Sequence, residues 1–354
     1  MPKEFSEFLG NLPGRTAAIV YSFAPAKRPK ELWYDRWQTE VLSFYGQAIQ
    51  GLGVEPYFMD VDSFCERAIA GRLPDLDFVI NLNAGVRPIS NWALVPAVAS
   101  WCDIAILPCE ADIIIAGERK DLSNLVAEKM GLRIPHTYTA ASLASLPPET
   151  QVIAKPRDLG GSEGIEIRPK KTLEPKRDYI YQEVIAGYDI TLPVLYDPVL
   201  GSIQPLPAVA YRPANDDPRW FHSRESKIQG VGYQKKIVDL AEEHKAALIS
   251  FAEEFGIITY CRLDLRVAAG SWAEAFEVRD EPPPIYFIEI NPMPTLRRNI
   301  NFISSLQEPT RLSATQSATL SAVQSRCQTA REPQLVQGAW VLACAMYART
   351  HNQV

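Results

Sequence analysis

Four apolar runs in the first 107 residues, with helix-like stretches between them, constrain this chain's fold more than any other feature. RTAAIVYSF (15–23), VEPYFMD (54–60), DLDFVINLN (75–83) and residues 103–107 read as strands. Residues 36–53, ending at Gly51 and Gly53, and residues 91–101 read as helices. Strands that alternate with helices build a parallel sheet covered on both faces. An N-terminal α/β unit is therefore expected over residues 1–115.

A second pattern follows it. Residues 120–131 carry a helical period that stops at Gly131, and the Ser/Pro-rich stretch 142–148 reads as a connector. QVIAKP (151–156), IEIRP (165–169), YIYQEVI (179–185) and ITLPVLYD (190–197) read as strands of another sheet. Residues 212–234 show no period and read as an exposed loop, and 239–255 as an amphipathic helix closed by Gly256. ITYCRLDLRV (258–267) and PIYFIEIN (284–291) are strong strand candidates, which the intervening segment extends into a hairpin. Residues 311–329 fit a polar helix or a loose tether, and 335–349 an apolar helix packed on the body.

Composition narrows the function classes. Of 354 residues, 36 are Lys or Arg and 42 are Asp or Glu, a net charge of −6. No basic excess points to nucleic acid or an anionic membrane as partner. The six cysteines form no C-x-x-C pair, which suggests reduced thiols in a cytoplasmic protein. The four histidines are isolated, which gives a zinc cluster no support. MPKEFSEFLGNLPG has no apolar core of a signal peptide. The longest greasy stretch, Trp92 to Cys109, contains Asp103 and is broken by Pro96 and Pro108, so no membrane helix is expected.

Three constellations carry chemistry. Arg262 and Asp264 lie two apart in one strand candidate, and Glu289 and Asn291 two apart in another, so each pair shares a face. Two carboxylates and an amide oxygen are a hard-oxygen set suited to Mg²⁺ held together with phosphates. Lys155 precedes the glycine-rich Gly160, Gly161, Ser162 and Gly164, where open backbone N–H groups and a point charge suit phosphate. The extended segment 179–191 offers main-chain groups to a purine edge, with Asp189 placed for ribose hydroxyls. Singly, each also reads as an ordinary strand or hairpin. This is neither a Walker loop nor a dinucleotide fingerprint.

Taken in order, Lys120, K-P with G-G-S-x-G, Q-E-V-I-x-G-x-D-x-T, R-x-D and E-I-N-P resemble the ATP-grasp superfamily, and most its D-alanine–D-alanine ligase branch. The resemblance spans residues 115–300. It implies a mixed α/β and α+β architecture, the ATP-grasp fold behind an N-terminal parallel-sheet domain (1–115). A small central subdomain (116–180), a C-terminal α+β domain (181–308) and a helical extension (309–354) would follow.

By resemblance, Lys120 and Lys155 hold ATP phosphates, and the loop bearing Gly160, Gly161 and Ser162 covers them. Gln182, Glu183, Val184 and Ile185 form the adenine hinge, and Asp189 binds ribose. Lys227 reaches the γ-phosphate from a mobile loop, and Arg262 supports the reacting centre. Asp264, Glu289 and Asn291 hold Mg²⁺, two ions in this branch. The implied reaction joins a carboxylate and an amine through an acyl phosphate. Branch members are often homodimers through the first domain.

Departures from the branch bear on substrate. The glutamate and V-S pair that grip the first D-alanine have no equivalent in SFAPAKRPKELWYD, and NLNAGVRPIS replaces a conserved glycine-rich segment. The segment after the metal asparagine reads Pro292 to Asn299 and carries Arg297 and Arg298, which suit a substrate carboxylate. Trp33, Tyr34 and Trp37 read as pocket, core or interface aromatics. An amino-acid ligase of a specialised natural-product pathway, of peptide-antibiotic or mycosporine-like type, is the expectation. A divergent cell-wall D-alanine–D-alanine ligase and an inactive nucleotide-binding regulator are the alternatives.

Overall fold

A computed structural model describes residues 3–22, 39–84, 89–223, 225–226, 230–276, 281–327 and 332–351. β1 (Thr16–Tyr21), β2 (Glu55–Asp60), β3 (Phe78–Leu82) and β4 (Ala105–Leu107) form a parallel sheet in the order β2-β1-β3-β4. Alternation explains its burial. Ala17 and Ile19 of β1 enter one core with Phe44 and Ile49, and Ala18 and Val20 enter another with Phe64 and Val95. Both faces are covered, so the strands read as continuous apolar runs.

β5 (Gln151–Pro156), β6 (Glu166–Pro169) and β7 (Tyr179–Glu183) make a small antiparallel sheet in the order β6-β5-β7. β8 (Gly187–Asp197), β9 (Ser202–Pro205), β10 (Ala208–Pro213), β11 (Tyr233–Val238), β12 (Tyr260–Ala268) and β13 (Ile285–Asn291) make a third, ordered β11-β10-β8-β12-β13 with β9 on β8. At Gly187 a Cβ would stand 1.8 Å from the Val267 carbonyl oxygen, so only glycine lets β8 pair with β12 there.

Several elements differ from the sequence reading. The connector 142–148 contains a helix, Ala140–Ser145, because Thr139 caps it by accepting from the Ser142 N–H. β11 begins inside the expected loop. Its YQKKIV alternates partly buried with exposed positions, so it lacks the apolar run that marks a central strand. Between β12 and β13 lies a helix, Trp272–Phe276, rather than a plain strand extension. Of the two readings for 311–329 the polar helix holds: Ala314–Arg326 is a helix, fixed by a Ser313/Gln316 capping box.

The C-terminal helix, Pro333–His351, does more than rest on the surface. Every residue from Leu335 to Arg349 is buried. It packs against the helix Thr39–Gly51, the helix Ala314–Arg326, β4 and β8. Trp340 is its largest buried side chain, and the indole N–H donates to Thr319 Oγ1 at 3.0 Å. Among the described residues no helix is long and apolar enough to cross a membrane.

Candidate active site

The cleft lies between the small sheet and the inner face of the large one. Ile153, Lys155 and Gln182 line it from one side, and Asp189, Tyr211, Arg262, Asp264 and Glu289 from the other. It holds about 960 Å³ of empty space, open mouth included. Register explains which side chains face it. Thr191, Asp264 and Glu289 pair directly across β8, β12 and β13, and directly paired residues share a face. Asn291 pairs with Arg262, and Arg266 pairs with Asp189. A bulge after Asp264 makes Ile288 an extra residue on β13, so adjacent Ile288 and Glu289 both line the cleft.

Asp264 and Glu289 each already have a cation. Arg262 donates to both Asp264 oxygens, at 2.8 and 2.7 Å, and Thr191 Oγ1 adds a bond of 2.8 Å. Lys120 pairs with Glu289 at 3.2 Å and donates to the Leu159 carbonyl. Lys155 is only 3 % exposed and has no carboxylate at ion-pair distance among the described residues. Burial, reinforced by Lys120, pushes its ammonium down to about 8 against the partial relief of Glu289 and Asp189.

The glycine loop is a hairpin tip joining β5 to β6. Gly161 and Ser162 both take positive φ, 54° and 65°, which folds the tip back. Ser162 Oγ donates to the His222 carbonyl at 2.9 Å and lines the cleft, whereas Gly160 and Gly161 do not.

The hinge residues divide. The Gln182 amide donates to Asn124 Oδ1 at 3.0 Å and Thr137 Oγ1 at 2.9 Å, which anchors β7 to the helix Lys120–Lys129. Glu183 exchanges bonds with His136: its N–H donates to the His136 carbonyl, and its carboxylate accepts the His136 N–H. Val184 and Ile185 line the cleft. Asp189 accepts from Arg266 Nη1 at 2.5 Å and from the His222 N–H at 2.7 Å, so both its oxygens are used.

Arg266 is the residue the sequence reading missed. It is 6 % exposed and also donates to the carbonyls of Ile185, Pro218 and Trp220. It thereby ties hinge, β8 and the 218–222 segment together. Its signal was the alternation Arg262, Asp264, Arg266 on one strand face.

Two expected positions stand apart. Asn291 does not line the cleft, and its Oδ1 accepts the Met293 N–H at 3.1 Å. Arg298 is held by Glu332, at 2.5 and 3.1 Å, and lies over the Phe44 ring. It ties the segment after β13 to the start of the C-terminal helix, which leaves its guanidinium occupied. Lys227 lies outside the described residues, as do Trp33, Tyr34 and Trp37.

Among the described residues no three His, Cys, Asp or Glu gather as a metal site. Asp264 and Glu289, paired across β12 and β13, still suit an ion that takes one or two carboxylates and leaves its other positions to phosphate and water.

No protein-family model matches the chain, and no curated protein matches it by sequence. Solved structures do. A D-alanine–D-alanine ligase from Bacillus anthracis complexed with ATP superposes with a TM-score of 0.60 at 12% identity, covering 96% of this chain and 100% of that one. D-alanyl-alanine synthetase A from Vibrio cholerae gives 0.60 at 12%, covering 88% and 98%. The VanG D-Ala:D-Ser ligase from Enterococcus faecalis gives 0.59 at 13%, covering 93% and 99%. Despite its low sequence identity, this chain has the ATP-grasp fold of the D-alanine–D-alanine ligases.

Proposed function

We propose that this protein is an ATP-dependent carboxylate–amine ligase. The observation that carries the reading is the convergence of two buried lysines, Arg262 and the Asp264/Glu289 pair in one cleft between two sheets. ATP would lay its adenine between Ile153, Ile167, Leu265 and Ile288 and meet main-chain groups of Val184 and Ile185. Its phosphates would reach Lys155 and Lys120, with the Ser162 loop closing over them and excluding water. Lys120 would exchange Glu289 for phosphate. Asp264 and Glu289 would hold Mg²⁺, which neutralises phosphate charge when bound.

The substrate carboxylate attacks the γ-phosphorus, ADP leaves, and a mixed acyl phosphate forms. The amine then attacks the activated carbonyl, and phosphate departs as the C–N bond closes. Arg262, fixed by its two bonds to Asp264, faces the place where oxyanion charge builds. The altered segments before β2 and after β13 argue for substrates other than D-alanine, and an amino-acid ligase of a specialised pathway fits them.

The test is ADP and phosphate release with Mg·ATP against pools of L- and D-amino acids and small carboxylates. Release that needs two substrates, with a product lighter by one water than their sum, supports the ligase, and Asp264→Ala abolishes it. ATP binding without release in any pool would favour a regulator that has lost catalysis.

A further inference from the structure

We propose that the cleft binds a second anionic group of the substrate, a carboxylate or phosphate that is not the one activated, between Lys235, Arg297 and the Tyr211 hydroxyl. This rests on the ligase reading above and specifies its substrate class: a small molecule with two acidic groups.

Charge matching gives the first argument. Arg262, Arg266 and Lys120 each have a carboxylate at ion-pair distance. Lys235 and Arg297 have none among the described residues. Lys235 Nζ donates to the Asn299 carbonyl at 2.7 Å and toward Ser304 Oγ at 3.4 Å, both neutral. An ammonium has three N–H donors, so one remains. Two half-buried cations beside Arg262 repel one another, and an arriving anion relieves all three. In support, burial, then Arg297 and Arg262, lower the Lys235 ammonium to about 8.

Tyr211 is an independent observation. It is 2 % exposed and lines the cleft, and its hydroxyl, with Thr191 as its nearest side-chain partner, makes no hydrogen bond at ordinary distance. Such a group is costly to leave unmade and is a ready donor to an anion. Lys235 pairs directly with Tyr211 across β11 and β10, so both stand on the sheet face that carries Arg262 and Asp264. The segment bearing Arg297 follows β13 and supplies the two oxygens that hold Lys235. The site therefore adjoins Arg262, and a non-reacting end of the substrate would lie there.

The test uses isosteric pairs that differ in charge: aspartate with asparagine, glutamate with glutamine, and O-phosphoserine with serine, in both enantiomers. Titration calorimetry measures their affinity for the Mg·ADP-loaded protein. The expected result is about tenfold or tighter binding of at least one charged member over its partner. The first two pairs report a carboxylate and the third a phosphate. In Lys235→Gln and Arg297→Gln that advantage falls to about twofold while ADP affinity holds, and Tyr211→Phe reduces it in part. Equal affinity within every pair, or none for any probe, in a protein that binds ADP overturns the anion site and leaves the ligase standing. Failure to bind ADP or ATP removes the ligase reading and this inference with it.

Discussion

Lys155 lines the cleft and Lys235 pairs across its sheet with the cleft-lining Tyr211, and burial lowers both ammonium groups to about 8. Their surroundings differ. Glu289 and Asp189 stand near Lys155 and partly offset its burial. Around Lys235 the charged neighbours are Arg297 and Arg262, and both push the same way as burial. One end of the cleft thus keeps carboxylates beside its lysine. At the other, no carboxylate among the described residues stands at ion-pair distance from Lys235 or Arg297. A protein that only needed a stable sheet would gain nothing from either arrangement, because an unmatched buried charge costs stability.

The widest gap between the two ends should appear on Lys155→Met. Loss of the phosphate-facing charge should cut turnover about 10³-fold and weaken ATP binding, while the folded state is undiminished because a poorly solvated charge has gone. Nucleotide titration and thermal unfolding of one preparation check both. A variant that kept ATP affinity and lost stability would make Lys155 a structural residue, and the comparison would fail.

Trp340→Ala supplies the opposite signature. Truncating this buried indole should cost about 3–5 kcal/mol through the cavity and the lost bond to Thr319. Affinity for ATP per folded molecule should stay the same. Denaturant unfolding followed by nucleotide binding at low temperature separates the two. A tail that can be removed at residue 309 without loss of folding would contradict the burial of Leu335 to Arg349.

These two variants mark what was legible in the sequence. The parallel sheet was, because strands covered on both faces advertise themselves as unbroken apolar runs. The R-x-D and E-x-N pairs were, because a period of two puts them on one face whatever the neighbours are. β11 was not, because an edge strand that alternates half-buried and exposed polar residues looks like loop. Lys235 was lost with it. Arg298 was read with Arg297 because sequence shows adjacency only, and the Glu332 that occupies it lies 34 positions away. Nor does anything local show that the Gln182 amide bonds to Asn124, 58 positions distant. Long-range polar partners have no local signature.

The two lysines also predict a proton count. Well below pH ~8, Lys155 is already protonated in the free protein, and ATP should bind without proton exchange. Near pH ~9 the free ammonium is mostly neutral, and phosphates raise it again, so binding should take up close to ~1 proton. ATP affinity should accordingly fall as pH rises through this range. Calorimetry in buffers of different ionisation enthalpy reads the uptake directly, and Lys155→Met should abolish it. Uptake that survives this substitution would move the titrating group elsewhere in the cleft.

The smallest effect should separate two neighbours. Arg298 is matched by Glu332 on a partly exposed surface, with side chains 31% and 54% accessible. Screening by solvent keeps such pairs to about 1 kcal/mol or less. Arg298→Gln should therefore lower the unfolding midpoint slightly and leave every Michaelis constant unchanged. Arg297→Gln should do the reverse, raising the Michaelis constant for one substrate, sparing ATP and leaving stability level, because its guanidinium has no carboxylate to lose. Steady-state kinetics and melting curves on the two variants decide it. Equal kinetic penalties would mean that Glu332 releases Arg298 during the reaction. The pairing seen at the start of the C-terminal helix would then belong to an open state of the cleft and not to the scaffold.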